Sequence, residues 1–459
     1  MLNTLADSSY RSLLNFVVPK PFGRRRSICS RGVFEMHDFE VAQRLQRWTA
    51  VSCLVLIAAT WRLWIPQTVF PQVPAFAILC TAPMWLDWIC LGCLVTGLIV
   101  LAAGRSGILN TSGCLLVLGS LLVFFFLDQH RFQPWAYELW LFTAIWLCCG
   151  VSYRLKWMSW LLVSIYFYSA LGKLDFEFLH TVGQQMLGAM ANLVGQDSSS
   201  MSAARKLVLV AIFPVIELAI AVGLAMPSSR RVAGIFAIGL HLTLILILGP
   251  LGLNHRLGVL IWNAQFVGQA YFLFVVKRIS VPDSEIAQRQ LEPKLEGSRG
   301  GCLQTLCGAL VGLVIVMPGT ERFGIWDHWP SWALYAPHSS RVVVEVAAPS
   351  VRRLPTELVA LLNRPSTEPD EMPVWVSIPM DAWSLQSLHT PIYPQSRFQL
   401  GVARQIASVI DSEFAIRVTV LGTAGRFTGR RQSTILDGNS EISKAGGIYW
   451  FNTIPRRRK

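Results

Sequence analysis

Charged residues are scarce in this chain of 459 residues: they make up 15% of it, while hydrophobic residues make up 53%. An ordinary soluble protein has about 25% charged residues, so the composition excludes a soluble globular enzyme. Several apolar stretches reach the roughly 20 residues that a helix needs to cross a bilayer. We therefore expect a polytopic α-helical membrane protein.

Sequence motifs of nucleotide hydrolysis and of common metalloenzymes are missing as well. The chain has no Walker loop, no GxGxxG or GxSxG segment, no HExxH pair and no metal-spaced set of Cys and His. On this basis we predict no metal site. Cysteine is absent after residue 317, which excludes a tail stapled by disulfides. The net charge of +13 is spread over short loops beside apolar segments, which indicates membrane topology and no nucleic-acid partner.

Residues 1–48 are polar and basic and lack an apolar run of signal-peptide length, so we expect a cytoplasmic leader, with Met36 as an alternative start. A helical membrane domain is predicted over 49–276, a charged cytoplasmic linker over 277–301 and a last, short transmembrane helix over 302–317. Including that last helix, we predict about nine transmembrane helices, at 49–65, 76–103, 108–127, 135–151, 157–174, 207–226, 232–249, 257–276 and 302–317.

Loop charges orient these segments, because cytoplasmic loops carry the excess of Lys and Arg. With the N-terminus inside, the inner loops include Arg154, Lys156, Arg230 and Arg231, and the outer loops hold far fewer basic residues. Nine crossings then place residues 318–459 outside. We expect the bacterial inner membrane as the location.

Residues 318–459 differ abruptly in composition from the apolar segments before them. Runs typical of β-strands occur at 341–347, 374–378 and 414–421, the last preceded by an amphipathic stretch over 401–410. We predict a small extracytoplasmic α+β domain, and the order of a run, a helix and another run allows a split β-α-β arrangement.

Lys173 is the sharpest candidate for catalysis. Tyr166, Ser169, Lys173 and Glu177 recur at intervals of three and four residues, so they form one stripe of a helix near the predicted outer membrane edge. A lysine removed from water can lose its proton and act as a base. The alternative is a lysine that snorkels to the interface and pairs with Glu177.

Further polar residues are predicted at the same membrane face. His130 can shuttle a proton or polarise a carbonyl, or it belongs to an interfacial turn in which Arg131 meets lipid phosphate and Trp135 joins the aromatic belt. His255 has a similar ambiguity. Arg62 either anchors at the interface or binds an anionic group.

Four residues inside predicted helices favour structural roles. His241 and Glu217 lie in mid-helix, where hydrogen bonding between helices is expected. Cys90 and Cys93 have the CxxC spacing of thiol redox sites, but no neighbouring charge activates a thiol there. We expect both cysteines to be structural.

Segment 166–175, which reads YFYSALGKLD, resembles a segment of the horizontally transferred transmembrane (HTTM) family, the bacterial relatives of vitamin K-dependent gamma-glutamyl carboxylase. That family has Tyr-Phe, small residues and then Lys-Leu-Asp. Gln129-His130 is similar to the family's Asn-His pair, with Gln in place of Asn, and Arg62 is similar to an arginine of its first helix. The resemblance covers about residues 40 to 280, and the carboxylase's substrate-binding portion has no recognised counterpart after residue 318.

The resemblance implies that Lys173 is the base that activates a quinol drawn from the bilayer and that His130 assists it. The remaining site residues are assigned to substrate binding: Arg62, Asp128, Gln129, Tyr166, Asp175 and His255. A quinol or vitamin K-like cofactor and membrane lipid are the implied partners. A second resemblance, to DoxX/MauE-like bundles, also implies quinone or thiol metabolism. The rival hypothesis is a non-catalytic membrane scaffold whose C-terminal domain binds an envelope partner.

Overall fold

The computed structural model describes residues 23–104, 107–276, 298–362, 374–410 and 412–457. A mainly helical part is followed by a smaller part that contains one sheet. The helical part contains twelve described α-helices, several of them short: α1 Gly23–Ala59, α2 Trp61–Trp64, α3 Trp85–Ala102, α4 Ile108–Leu127, α5 Pro134–Cys148, α6 Val151–Lys173, α7 Phe176–His180, α8 Val182–Leu193, α9 Ala203–Ala225, α10 Arg230–Leu248, α11 Leu257–Ala270 and α12 Ser298–Val316.

Six helices in the described residues are long and apolar enough to cross a membrane, which makes the chain a membrane protein by length and composition. Each overlaps one of the predicted segments, but the first begins at Trp85, nine residues later than predicted, and the last extends to Phe323, beyond the predicted end at 317. The spans are Trp85–Ala102, Ile108–Leu127, Ala203–Ala225, Arg230–Leu248, Leu257–Val275 and Gly301–Phe323.

The other three predicted segments do not meet both criteria, so the count of nine is not confirmed. Segment 49–65 is divided where α1 ends at Ala59, and α1 itself begins at Gly23, inside the predicted leader. Segment 135–151 corresponds to α5, whose 15 residues are about 22 Å long and too short for a hydrocarbon core of about 30 Å. Segment 157–174 lies in α6, where Trp, Tyr and Ser residues lower the hydropathy. The predicted linker 277–301 lies mostly outside the described residues.

Small residues let α3 and α4 pack closely as an antiparallel pair. A Cβ atom added to Gly97 would lie 2.9 Å from the carbonyl oxygen of Gly113. No real side chain fits at that distance, so Gly97 permits the backbones to approach, as small residues do between membrane helices.

One four-stranded sheet forms in the smaller part, from β1 Arg341–Ala347, β2 Trp375–Ile378, β3 Ile416–Leu421 and β4 Ser433–Asp437. The strand order is β2-β1-β3-β4, and every neighbouring pair is antiparallel. Three of the strands confirm the predicted runs to within two residues. β4 was not predicted, because this edge strand is short and mostly exposed and has no apolar alternation.

Helices of the smaller part cover and connect this sheet: α13 Thr356–Val359, α14 Met380–Leu388, α15 Ser396–Ala407 and α16 Gly438–Ala445. The chain leaves β2, passes through α14 and α15, and returns as β3 on the far side of β1. Because β2 and β3 are both antiparallel to β1, they are parallel to each other. This is the split β-α-β arrangement that the sequence allowed, and α15 begins earlier than the predicted stretch 401–410.

Buried charges join the smaller part to the helical part. Arg456 Nη1 lies 2.7 Å from Asp87 Oδ2, and Asp87 also pairs with Arg131. Arg456 donates two more hydrogen bonds, to the carbonyl oxygens of Ala82 at 3.1 Å and Pro83 at 2.8 Å. The interpretation in which Arg131 meets lipid phosphate is therefore wrong, because its side chain is fully buried against a carboxylate.

Candidate functional site

Lys173 is buried where α6 packs against α9. Its Nζ donates to Ser169 Oγ at 2.7 Å and to Glu217 Oε2 at 2.5 Å, and the residue is only 8% exposed. Glu177, the predicted partner of a snorkelling lysine, instead pairs with Arg431 at 3.3 Å. Lys173 is thus held inside the protein by a carboxylate of the neighbouring helix, and the snorkelling alternative is wrong.

A second polar chain starts from the same stripe of α6. Tyr166 Oη lies 2.7 Å from His241 Nε2, and His241 Nδ1 lies 2.9 Å from Asn263 Oδ1. The amide nitrogen of Asn263 donates to the Val259 carbonyl, so its oxygen must accept from His241. His241 Nε2 is then free to accept from the Tyr166 hydroxyl. The interhelical hydrogen bonding expected of His241 and Glu217 is confirmed.

A pocket of about 450 Å³ opens beside the end of α6. Tyr168 and Gly172 of α6 line one wall, and the 3-10 helix Met317–Phe323 lines another. Arg322 and Arg426 also line it, so the pocket has a basic side. It therefore lies beside the C-terminal end of the helix that carries Lys173.

Three side chains that could ligate a metal ion lie together beside this pocket. His328 Nδ1 lies 2.8 Å from Glu321 Oε1, and His338 Nε2 lies 3.1 Å from Glu321 Oε2. The ligand atoms of the three residues all lie within 4.8 Å of one another. Glu321 and His338 line the pocket, and His328 is not among the lining residues. Sequence analysis missed this cluster, because spacings of seven and ten residues match no metal motif.

Asp175 contacts Arg322, which lines the pocket. Its Oδ1 accepts from the Glu177 backbone N–H at 2.8 Å, which caps α7, and its Oδ2 pairs with Arg322 at 2.7 Å. Both oxygens are thus used in contacts within the protein, and Asp175 positions the pocket-lining Arg322.

His130 lies away from Lys173, in a short 3-10 turn that the smaller part covers. Its Nε2 lies 2.8 Å from the carbonyl oxygen of Pro391, so Nε2 donates, and its ring packs against Phe398. Burial lowers the pKa of His130 to about 4, which keeps the ring neutral. No described contact links His130 to Lys173, and Trp135 is buried, so it does not join an aromatic belt.

Asp128 and Gln129 share this buried turn. Asp128 accepts from the His130 backbone N–H at 3.1 Å, and burial raises its pKa to about 6. Gln129 donates to the Asn452 carbonyl at 2.8 Å and accepts from Arg397 Nε at 2.7 Å. Both side chains join the turn to neighbouring segments, so their described contacts are structural.

Arg62 and His255 lie apart from the other predicted residues. Arg62 is exposed, and its guanidinium reaches the Gln386 carbonyl at 3.4 Å. His255 stacks on Tyr335 with Nδ1 3.4 Å from its hydroxyl, and burial lowers the pKa of His255. The structure therefore groups Tyr166 with Lys173 and distributes the remaining predicted residues over several places.

Comparisons of the chain with protein-family models, curated proteins and solved structures find no match. The resemblance of segment 166–175 to a known family thus remains a prediction.

Proposed function

We propose that this chain is a membrane-embedded enzyme of the HTTM type, in which Lys173 acts as a base on a lipid-borne, quinol-like reactant. One observation carries the proposal: the Lys173 Nζ lies 2.5 Å from Glu217 Oε2 inside the helical part. Ionisable side chains at membrane depth cost about 2.5 to 3.5 kcal/mol each on insertion scales, so such residues mark function by default.

In this proposal the contact between the Lys173 amine and the Glu217 carboxylate is the path for the proton. When the carboxylate holds the proton, the amine is neutral and can accept another from a hydroxyl group. Ser169 fixes the position of the amine, since its hydroxyl lies 2.7 Å from Nζ. The hydrogen bond between Tyr166 and His241 holds α6 against α10 about two turns before Lys173.

A quinol supplies an ionisable hydroxyl and two reducing equivalents when it is bound. The pocket of about 450 Å³ is within the range of small-molecule sites, roughly 300 to 1,000 Å³. Tyr168 and Gly172 line it, and Lys173 is the next residue along α6. These residues would hold the ring beside the end of α6.

The same proposal includes an orientation in the bacterial inner membrane, with the N-terminus in the cytoplasm and the smaller part outside, which requires an odd number of crossings and so at least one crossing besides the six spans. The Lys and Arg bias of the predicted inner loops supports it. In that orientation the end of α6, with Lys173, faces the outer side of the membrane.

Exposed apolar side chains support the second candidate, a membrane scaffold whose C-terminal part binds an envelope partner. Phe427, Ile448 and Trp450 of the smaller part are at least 82% exposed. Large apolar side chains exposed in this way mark interaction surfaces when they are contiguous.

Substitution of Lys173 separates the two candidates. We expect Lys173→Arg to abolish quinol consumption as completely as Lys173→Ala, because a guanidinium with a pKa above about 12 cannot accept a proton. Glu217→Gln should also impair turnover, since it removes the proton-sharing carboxylate. The measurement is oxidation of an added quinol by the purified protein in air, with dissolved O₂ as the electron acceptor, and with each variant present at equal abundance.

The matched control is Lys206→Arg, at a half-buried lysine near the start of α9 whose Nζ reaches the Ser199 carbonyl at 3.4 Å. This variant should keep full activity. Full activity of Lys173→Arg would remove the catalytic proposal. If a second protein co-purifies with the chain and the lipid extract contains no quinone, the scaffold is favoured.

A further inference from the structure

Glu321, His328 and His338 converge from two adjoining segments. Glu321 is in the 3-10 helix Met317–Phe323, and the two histidines follow in the loop that leads to β1. The imidazole rings lie 4.9 Å apart at an interplanar angle of 74°, and each directs one nitrogen at a different oxygen of the same carboxylate.

Proton placement on His328 is the first argument for a bound cation. Its Nε2 lies 2.8 Å from the Ala336 carbonyl oxygen, which can only accept, so Nε2 carries a proton. In the neutral ring Nδ1 then has no proton and carries a lone pair, which faces a Glu321 oxygen at 2.8 Å. Two acceptors at that distance need a proton or a metal ion between them, so the contact is either a His–Glu ion pair or one side of a metal site. A backbone carbonyl that holds the remote N–H of a histidine is also the usual support of a metal-ligating imidazole.

His338 supplies the second argument. The residue is 1% exposed, it lines the pocket, and its Nδ1 has no hydrogen-bond partner among the described residues. A buried polar atom without a partner costs about 1 to 3 kcal/mol. Ser331 Oγ, also buried and unpartnered, lines the same pocket. Nε2 of His338 faces Glu321, so its Nδ1 and Ser331 Oγ are two buried polar atoms of pocket-lining residues that a water or a bound group can satisfy.

We propose that Glu321, His328 and His338 bind a divalent transition metal ion, with Zn²⁺ as the best match, and that its open coordination position faces the pocket. Two imidazoles and one carboxylate are a known protein ligand set of catalytic zinc, which leaves a fourth position for water or substrate. Here that position has room, because Glu321 and His338 border a cavity of about 450 Å³. The inference goes beyond the proposed function and does not depend on Lys173.

Metal binding by the full-length protein tests the proposal. The chain is purified in detergent, freed of affinity tag, stripped with a chelator and equilibrated with Zn²⁺ or Co²⁺. We expect about one Zn²⁺ per chain by elemental analysis, and for Co²⁺ the visible absorption of a site with nitrogen and oxygen ligands. Zn²⁺ should also raise the thermal unfolding midpoint of the wild-type protein.

Ligand variants assign the metal to this cluster. His338→Ala and Glu321→Gln should each weaken Zn²⁺ binding by about 100-fold or more, since loss of even an outer-shell partner costs 10- to 100-fold. The matched control His180→Ala, at an exposed histidine, should bind like the wild type.

Wild-type protein that takes up no metal above the buffer background overturns the proposal, whatever the variants do. Binding that survives both substitutions also overturns it, because the ion then lies elsewhere. Since none of these measurements uses quinol turnover, loss of the proposed enzyme activity would leave the metal assignment intact.

Discussion

Arg456 is expected to hold the C-terminal segment against the membrane helices, and its replacement by Ala should loosen that contact. The guanidinium is buried and bonds Asp87 at 2.7 Å, Pro83 at 2.8 Å and Ala82 at 3.1 Å. Hydrogen bonds of charged groups contribute about 1.5 to 3 kcal/mol each, and breaking a buried ion pair costs about 3 to 5 kcal/mol. Asp87 keeps Arg131 as a partner, so the lower end, about 3 kcal/mol, applies.

Limited proteolysis in detergent measures this loss, because cleavage follows the population of the opened state when opening is fast. A loss of about 3 kcal/mol raises that population by about 100-fold, since each 1.4 kcal/mol is a factor of ten. Cleavage of the C-terminal segment of Arg456→Ala should accelerate by that factor. Mass spectrometry of the fragments identifies the cut sites.

Arg457→Ala is the matched control, because Arg457 is exposed and only its backbone N–H bonds the helical part, at Cys80. It should be cleaved at the wild-type rate. Asp87→Asn should be more damaging than Arg456→Ala, since two buried guanidinium groups then lose their counter-ion. Equal protection of Arg456→Ala and Arg457→Ala would refute the assignment of this ion pair as a clamp.

Two further predictions concern acid stability and topology. Burial lowers the pKa of His130 from 6.5 to about 4, so the folded state has its full stability above pH 6.5 and loses stability as the pH falls toward 4, because only the unfolded chain then takes up the proton readily. Between pH 7 and 4.5 the free energy of unfolding of the wild type should fall by roughly 2.5 kcal/mol more than that of His130→Gln, measured by chemical unfolding. Asp128 has the opposite effect in both proteins, so it cancels in this difference. An equal acid response of the two proteins would contradict it. A phosphatase fused after Lys459 should be active while a reporter that fluoresces only in the cytoplasm stays dark, and the reverse pair of results would invert the proposed orientation.

Local patterns predicted elements of this fold well. In β1 the residues Val342, Val344 and Val346 are buried, and the residues between them are less so, which is the alternation that the sequence displays. The spacing likewise predicted one helical stripe of Tyr166, Ser169, Lys173 and Glu177. The first three are buried on α6, but α6 ends at Lys173 and Glu177 belongs to α7. Both predictions depend only on neighbours in the chain.

Local patterns did not predict which side chains the candidate residues contact. The sequence suggested Glu177 for Lys173, four residues away, whereas the packing of α6 on α9 provides Glu217. His130 was assigned to a site with Lys173 because both were expected at one membrane face. A shared face does not make a shared cavity, and His130 instead meets Pro391 of the smaller part.

Composition and periodicity alone predicted a helical membrane protein followed by an α+β part, and they located the six helices that are long and apolar enough to cross a membrane. Hydropathy and side-chain periodicity depend only on neighbouring residues in the sequence, so they can be recognised without knowledge of the fold. Tertiary structure alone decided which charges meet: Asp87 with Arg456 from the other end of the chain, and Glu321 with His328 and His338. Those contacts follow from the way that helices and loops pack, because a buried charge is stable only where packing brings it a partner.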